Sequence, residues 1–226
     1  MLQRKKLSLS YIELEPEKTD KAPLVIMLHG YGSNEKDLIQ LAPALAPAFR
    51  YISPRAPQAM DYDGMFGWFP IEFTQNGITV DYSCVQNSLQ QLIGFVREII
   101  QQYQPAGNRV FLMGFSQGSI MSYLAAFHAP ELLHGVIALS GQLPDQKLSS
   151  ETAELSLRQL PFLVMHGIYD DVLPIAKGRA AYEWLKQYVR DITYQEYPIA
   201  HQISESGIGL IRSWLIERIP IIQKEQ

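Results

Sequence analysis

The chain is predicted to be an α/β protein, with a mostly parallel central sheet covered by helices on both faces. Three observations carry that prediction. Short apolar runs of strand type alternate with longer helical patterns from start to finish. At 110–128 a strand, a sharp glycine-flanked turn and a helix follow one another directly. No internal repeat, low-complexity tract or interdomain linker breaks the alternation, so residues 1–226 are expected to form one domain.

The elements follow in chain order. Strands are expected over 7–14, 24–28 and 51–53, the second being the wholly apolar Leu24-Val25-Ile26-Met27-Leu28. A helix is expected over 35–45 and a longer one over 83–103. In the longer helix Val85, Leu89, Leu92, Val96, Ile99 and Ile100 recur at steps of three and four, which is one core-facing stripe. Strands at 110–113, 135–139, 162–165 and 192–197 then alternate with helices at 117–128, 175–188 and 203–218. Two long irregular stretches remain, 54–80 and 142–160, and loops of that length tend to be functional.

Composition narrows the class. An apolar fraction of 47% with 19% charged residues is that of a soluble globular protein, and a net charge of −4 argues against nucleic acid as partner. Arg4-Lys5-Lys6 reads as a solvated basic tail. No apolar run approaches the ~18 residues of a spanning helix, so no stable membrane insertion is expected. The charged N-terminus has no apolar segment behind it and does not resemble a signal peptide. A single cysteine, Cys84, excludes an internal disulfide framework and suits a reducing, cytoplasmic compartment.

The chemistry starts at Gly114-Phe115-Ser116-Gln117-Gly118. This is a G-x-S-x-G nucleophile elbow in the context such a motif needs, strand before and helix after. A serine at the tip of that turn is lifted clear of the sheet, and side chains two residues to either side would strike the neighbouring strand and the new helix, hence glycine at both places. The turn leaves the first N–H groups of the helix unpaired, so Gln117 matters for its backbone N–H rather than its side chain.

A serine needs a base, and the base needs an acid to hold it. In this strand–turn–helix context the partners follow the nucleophile as acid, then histidine. Of five histidines, His128 and His134 read as surface residues, and His29 and His166 stand at strand ends followed by glycine. Only His201 comes late, in a loop after the last strand and at the same sheet edge as the elbow, so it is the expected base. The acid lies in the turn after the strand 162–165, where Asp170 and Asp171 compete and spacing alone does not choose. A second oxyanion donor is expected from His29-Gly30-Tyr31-Gly32-Ser33-Asn34, where two glycines let the backbone approach substrate and Tyr31 offers its N–H. Met65, Phe66, Trp68, Phe69, Ile71 and Phe73 crowd one long loop, and Leu143, Ile168, Tyr169 and Leu173 sit in others at the same edge. These could line an acyl channel, with Trp68, Phe69, Leu143 and Leu173 as candidate substrate contacts, or form a satellite core.

Taken together these residues resemble the small carboxylesterase/phospholipase group of α/β-hydrolases that includes acyl-protein thioesterases. The carriers are Leu28–Gly32, Arg55-Ala56-Pro57, Trp68-Phe69, the elbow, Ser140–Pro144, His166–Pro174 and Tyr197–His201, spread over nearly the whole chain. The resemblance implies an α/β-hydrolase fold without a separate lid domain, and cleavage of small-molecule esters or thioesters with neither metal nor organic cofactor. It implies Asp170 as the acid, through the pattern H-G-x-x-D-x-V-x-P, and Tyr31 and Gln117 as oxyanion donors. Without a lid, short to medium acyl chains are expected, from a monomer or homodimer. Three positions depart from the pattern: Ser119 for a second glycine, Ala200 for the glycine before the histidine, and Gln202 where glutamate is common. None removes a catalytic atom. Other readings share the fold: a non-catalytic binding module, and a different enzyme class, peptidase or dienelactone hydrolase. A non-catalytic binding module has no need for three catalytic groups, and a dienelactone-type hydrolase carries cysteine at the elbow.

Overall fold

In a computed structural model, residues 3–16, 21–74, 77–144 and 155–219 are described. Eight strands form one sheet, β1 (Gln3–Lys6), β2 (Ser10–Leu14), β3 (Leu24–Leu28), β4 (Arg50–Pro54), β9 (Val110–Phe115), β10 (Gly135–Leu139), β11 (Phe162–Gly167) and β12 (Ile192–Tyr197). Between β4 and β9 lie two small antiparallel ribbons, β5 (Gln58–Ala59) with β6 (Phe66–Gly67), and β7 (Ile71–Thr74) with β8 (Gly77–Val80). The sheet order is β1-β2-β4-β3-β9-β10-β11-β12, antiparallel up to β4 and parallel from there on. Strands β3, β10 and β11 are buried along their whole length, as expected of parallel strands covered on both faces.

Side-chain alternation splits the core in two. Leu24, Ile26 and Leu28 face the layer of α1 (Tyr82–Tyr103), α2 (Gln117–His128) and α3 (Ile175–Leu185). Val25 and Met27 face the opposite layer, with Phe111, Met113 and the Ile211, Trp214 and Leu215 face of α4 (Glu205–Ile216). The stripe predicted on α1 is the buried one: Val85, Leu89, Leu92, Val96 and Ile99 are buried and Ile100 packs at the margin. Asp81 caps the helix by accepting the Ser83 N–H at 2.8 Å. No helix among the described residues is long and apolar enough to cross a membrane.

Three expectations are corrected. The strand expected over 7–14 begins only at Ser10, because the chain turns at residues 7–9, where the Leu7 N–H donates to the Leu9 carbonyl. Arg4-Lys5-Lys6 is therefore no free tail but part of edge strand β1, paired antiparallel with β2. The helix expected over 35–45 is a 3-10 helix over Leu38–Ala44, with Pro43 inside it. Proline supplies no N–H and disfavours helical backbone in the residue before it, so a regular α-helix cannot run through that position. Part of the stretch 142–160 lies outside the described residues.

Glu35, expected to open that helix, is wholly buried instead. Arg55 grips it with two hydrogen bonds of 2.7 and 2.6 Å, and Arg4 adds a third at 2.9 Å. Arg55 also lies over the Phe66 ring, 4.4 Å from its centroid. Burial alone would raise the Glu35 pKa, but the Arg55 hydrogen bonds and the charges of Arg55 and Arg4 outweigh it and hold the group at about 2. A carboxyl with a depressed folded-state pKa contributes stability above its unfolded value, near 4.5, and loses it as pH falls towards about 2. Arg55→Met should leave the buried charge with Arg4 as its one remaining cation among the described residues, at a cost of up to about 3–5 kcal/mol, or as much as roughly 6–20 °C in Tm at neutral pH. Thermal melts between pH 2 and 7 check this: the deficit should shrink as the medium becomes acidic, and one independent of pH contradicts the assignment.

Candidate active site

The elbow is built by steric necessity. Ser116 stands between β9 and α2 at φ 54°, ψ −115°, a strained conformation for a residue with a side chain. A Cβ on Gly114 would lie 2.1 Å from the Gly118 carbonyl oxygen, and one on Gly118 would lie 2.0 Å from the Leu28 carbonyl oxygen. Both collisions are with main chain, which no side-chain rotation relieves. The Ser116 N–H donates to the Leu139 carbonyl at 2.9 Å and fastens the tip of the turn to β10. Gly30, at the exit of β3, leaves its Cβ position 3.4 Å from both the Phe115 ring and the Ser116 side chain, so the two loops meet closely.

The two competing aspartates separate cleanly. Asp170 is buried, while Asp171 is exposed at the rim. Asp170 Oδ2 accepts from His201 Nδ1 at 2.7 Å, and Oδ1 accepts the backbone N–H groups of Val172 and Leu173 at 3.0 and 2.8 Å. One carboxylate oxygen is thus fixed by its own turn and the other aims at the imidazole. The His201 ring also packs on Phe115, with centroids 4.8 Å apart.

Ser116 and His201 line one cavity of about 660 Å³ together with Gly30, Tyr31 and Gln117. Its apolar wall is Phe69, Ile71, Val80, Val85, Ile120, Leu124 and Leu173. Among the described residues, Asp37 and Asp171 are the carboxylates along it, and no lysine or arginine lines it. Of the four candidate substrate contacts, Phe69 and Leu173 line this cavity and Trp68 and Leu143 do not. Trp68 is wholly buried, its Nε1–H donating to the His29 carbonyl at 3.0 Å, and lies beneath the loop that leaves β3. Leu143 packs against the core shared by α1 and α2. Ile120 and Leu124, one turn apart on α2, were missed as wall residues; their (i, i+4) spacing was the available signal.

Two further side chains do more than the sequence suggested. Gln117, expected to matter only through its backbone, has a buried amide: Oε1 accepts the Trp68 N–H and Nε2 donates to the Phe69 carbonyl, both at 2.7 Å. It ties the wall segment to the elbow. His29 is buried, its Nδ1–H donating to the Gly30 carbonyl at 2.8 Å while Nε2 accepts the Ala56 N–H at 3.0 Å. Burial pushes its pKa down, and the neutral ring fits both partners. Of the histidines expected at the surface, His128 and His134 are half-buried, and His128 Nδ1 bonds back to the Leu124 carbonyl at 2.9 Å.

A serine on a strand-to-helix elbow, over a sheet of this order, defines the α/β-hydrolase class. Comparison with known proteins then places the chain within it: residues 9–218 match the phospholipase/carboxylesterase family, and the chain belongs to that family. It is therefore a serine hydrolase acting on ester bonds. It is 30% identical over 185 residues to acyl-protein thioesterase 1 of Gibberella zeae, covering 76% of this chain and 77% of that protein. Among solved structures it is similar to esterase PE8, with a TM-score of 0.76 and 25% identity over 92% of this chain and 97% of the other. Acyl-protein thioesterase 2 of Zea mays, 22% identical over 92% of this chain and 97% of its own, has the same fold, with a TM-score of 0.77.

Proposed function

We propose that the chain cleaves carboxylic esters through an acyl-enzyme formed on Ser116, with His201 as base and Asp170 as the acid that holds it. His201 takes the Ser116 proton as the oxygen attacks the carbonyl carbon. Asp170 fixes the Nδ1–H tautomer and stabilises the imidazolium. The backbone N–H groups of Tyr31 and Gln117 bind the developing oxyanion. His201 then returns the proton to the leaving alcohol, and a water it activates in turn releases the acid from Ser116. The observation that carries this reading is the 2.7 Å bond from His201 to a buried carboxylate, at a cavity that Ser116 shares.

The cavity bears on substrate choice. About 660 Å³ behind Ser116, walled by Ile71, Val80, Val85, Ile120 and Leu124, suits an acyl chain of medium length as well as a short one. A thioester carbonyl or a lysophospholipid ester presents the same carbon to the same groups. A fluorophosphonate probe is expected to add to Ser116 alone, read by peptide mass, with labelling abolished by His201→Ala. Labelling at another residue, or none, overturns the assignment. A chain-length series of matched esters and thioesters then separates the substrate classes, with a maximum expected above butyrate.

A further inference from the structure

Two histidines stand against the carboxylate of Asp170, and the hydrolytic scheme uses one. The second is His166, near the end of β11, whose side chain is wholly buried. Its Nε2 is 2.7 Å from the Leu173 carbonyl and 3.5 Å from Asp170 Oδ2, the oxygen that also faces His201. A carbonyl only accepts, so Nε2 carries the hydrogen. Nδ1 is buried, has no hydrogen-bond partner among the described residues, and lies against α3, where Gly178 makes room: a Cβ there would come within 2.6 Å of it. The nitrogen of this ring that makes a hydrogen bond is Nε2.

Nε2–H closes a loop of contacts. His166 holds the Leu173 carbonyl, and the Leu173 N–H holds Asp170 Oδ1 at 2.8 Å. Asp170 is thus fixed from both sides of the turn, and its remaining oxygen is left for His201. Leu173 and its neighbour Val172, the other donor to Oδ1, both line the cavity. The clamp therefore joins the acid to the wall that substrate touches. We infer that His166 is a positioning residue for ester hydrolysis: its Nε2–H sets the Asp170 turn so that the carboxylate meets His201 in the productive orientation. The inference rests on the hydrolytic reading of Ser116, Asp170 and His201.

Glutamine and methionine separate the N–H from the bulk of the ring. Glutamine places an amide nitrogen near the position of Nε2, and methionine fills the space without a donor. In the full chain, His166→Met is expected to lower kcat about 100-fold with KM within about threefold of the parent, since a misplaced catalytic group costs rate rather than ground-state binding. His166→Gln should recover most of that loss. A role in folding alone would lower Tm in both variants and leave kcat of the folded fraction unchanged. Should the methionine variant fail to fold, His166→Asn, one methylene too short to reach the Leu173 carbonyl, takes its place beside glutamine. Wild-type kcat in the methionine variant, or equal kcat in the glutamine and asparagine variants, overturns the inference. Ser116→Ala is the companion measurement. A Ser116→Ala chain that still turns over sinks the hydrolytic reading and this inference with it, whereas an inert one beside a fully active His166→Met sinks this inference alone.

Discussion

Ser116→Ala is expected to lower kcat by roughly 10⁶-fold and to leave the melting temperature close to that of the parent. The two halves of that result have separate causes. In the proposed scheme the hydroxyl is the nucleophile, so nothing would remain to carry the acyl group once it is removed; the residual rate would come from substrate binding and the backbone amides assigned to the oxyanion. The fold does not lean on the same atom. Ser116 occupies the N-cap position of α2 but makes no side-chain capping bond, and its anchor to β10 is the backbone N–H. Alanine retains the Cβ and with it the same backbone strain at φ 54°. Steady-state hydrolysis of a chromogenic ester beside a thermal melt measures both. A variant with parental turnover rules out Ser116, and one that fails to fold assigns the hydroxyl a structural role instead.

Gly118→Ala should act the other way round, on the fold first. The added carbon would sit 2.0 Å from the Leu28 carbonyl oxygen and 2.8 Å from that of His29, so β3 and α2 must move apart. Overpacking usually costs about 1–3 kcal/mol, and a main-chain collision belongs at or above the upper end. For a chain of this length that corresponds to a fall in Tm of about 6–12 °C or more. The displaced turn also carries the Gln117 N–H, so surviving protein should show kcat reduced by about 100-fold. Gly94→Ala, in the interior of α1 where a Cβ meets nothing within 4 Å, is the control. It should stabilise by about 0.5–1 kcal/mol. Similar Tm changes in the two variants would show that the close approach at Gly118 is not what selects glycine.

How far the sequence revealed these features depended on the distance over which each is determined. The elbow was legible because its constraints are local: strand, turn and helix adjoin, and both glycines are within two residues of Ser116. Late placement of His201 was legible because chain order and sheet edge both single it out. Asp170 against Asp171 was not legible from spacing and came only from the family pattern, since the choice depends on which carboxylate the amides of Val172 and Leu173 enclose. The basic run at 4–6 looked like a tail because its strand partner and the buried Glu35 are defined only once the chain has turned back on itself. The clamp by the Gln117 side chain spans 48 and 49 residues to its partners. Local pattern carries no trace of such a pairing. Trp68 shows the opposite error: an aromatic in a long loop resembled a substrate contact, whereas its indole N–H had a carbonyl to satisfy beneath the loop.

The strand order has a kinetic corollary. Strand β9, which delivers Ser116, is joined to β3, so Leu24 pairs with Val110 across more than a third of the chain, and His201 arrives only after β12 has docked at the far edge. Contacts so remote in sequence form slowly during refolding, because loop closure must precede the gain from pairing. A nascent chain still lacking its C-terminal strands therefore holds the elbow of Ser116 without His201, the base proposed for it. Hydrolytic competence then marks the last stage of assembly, and regain of activity after dilution from denaturant should lag behind regain of helix.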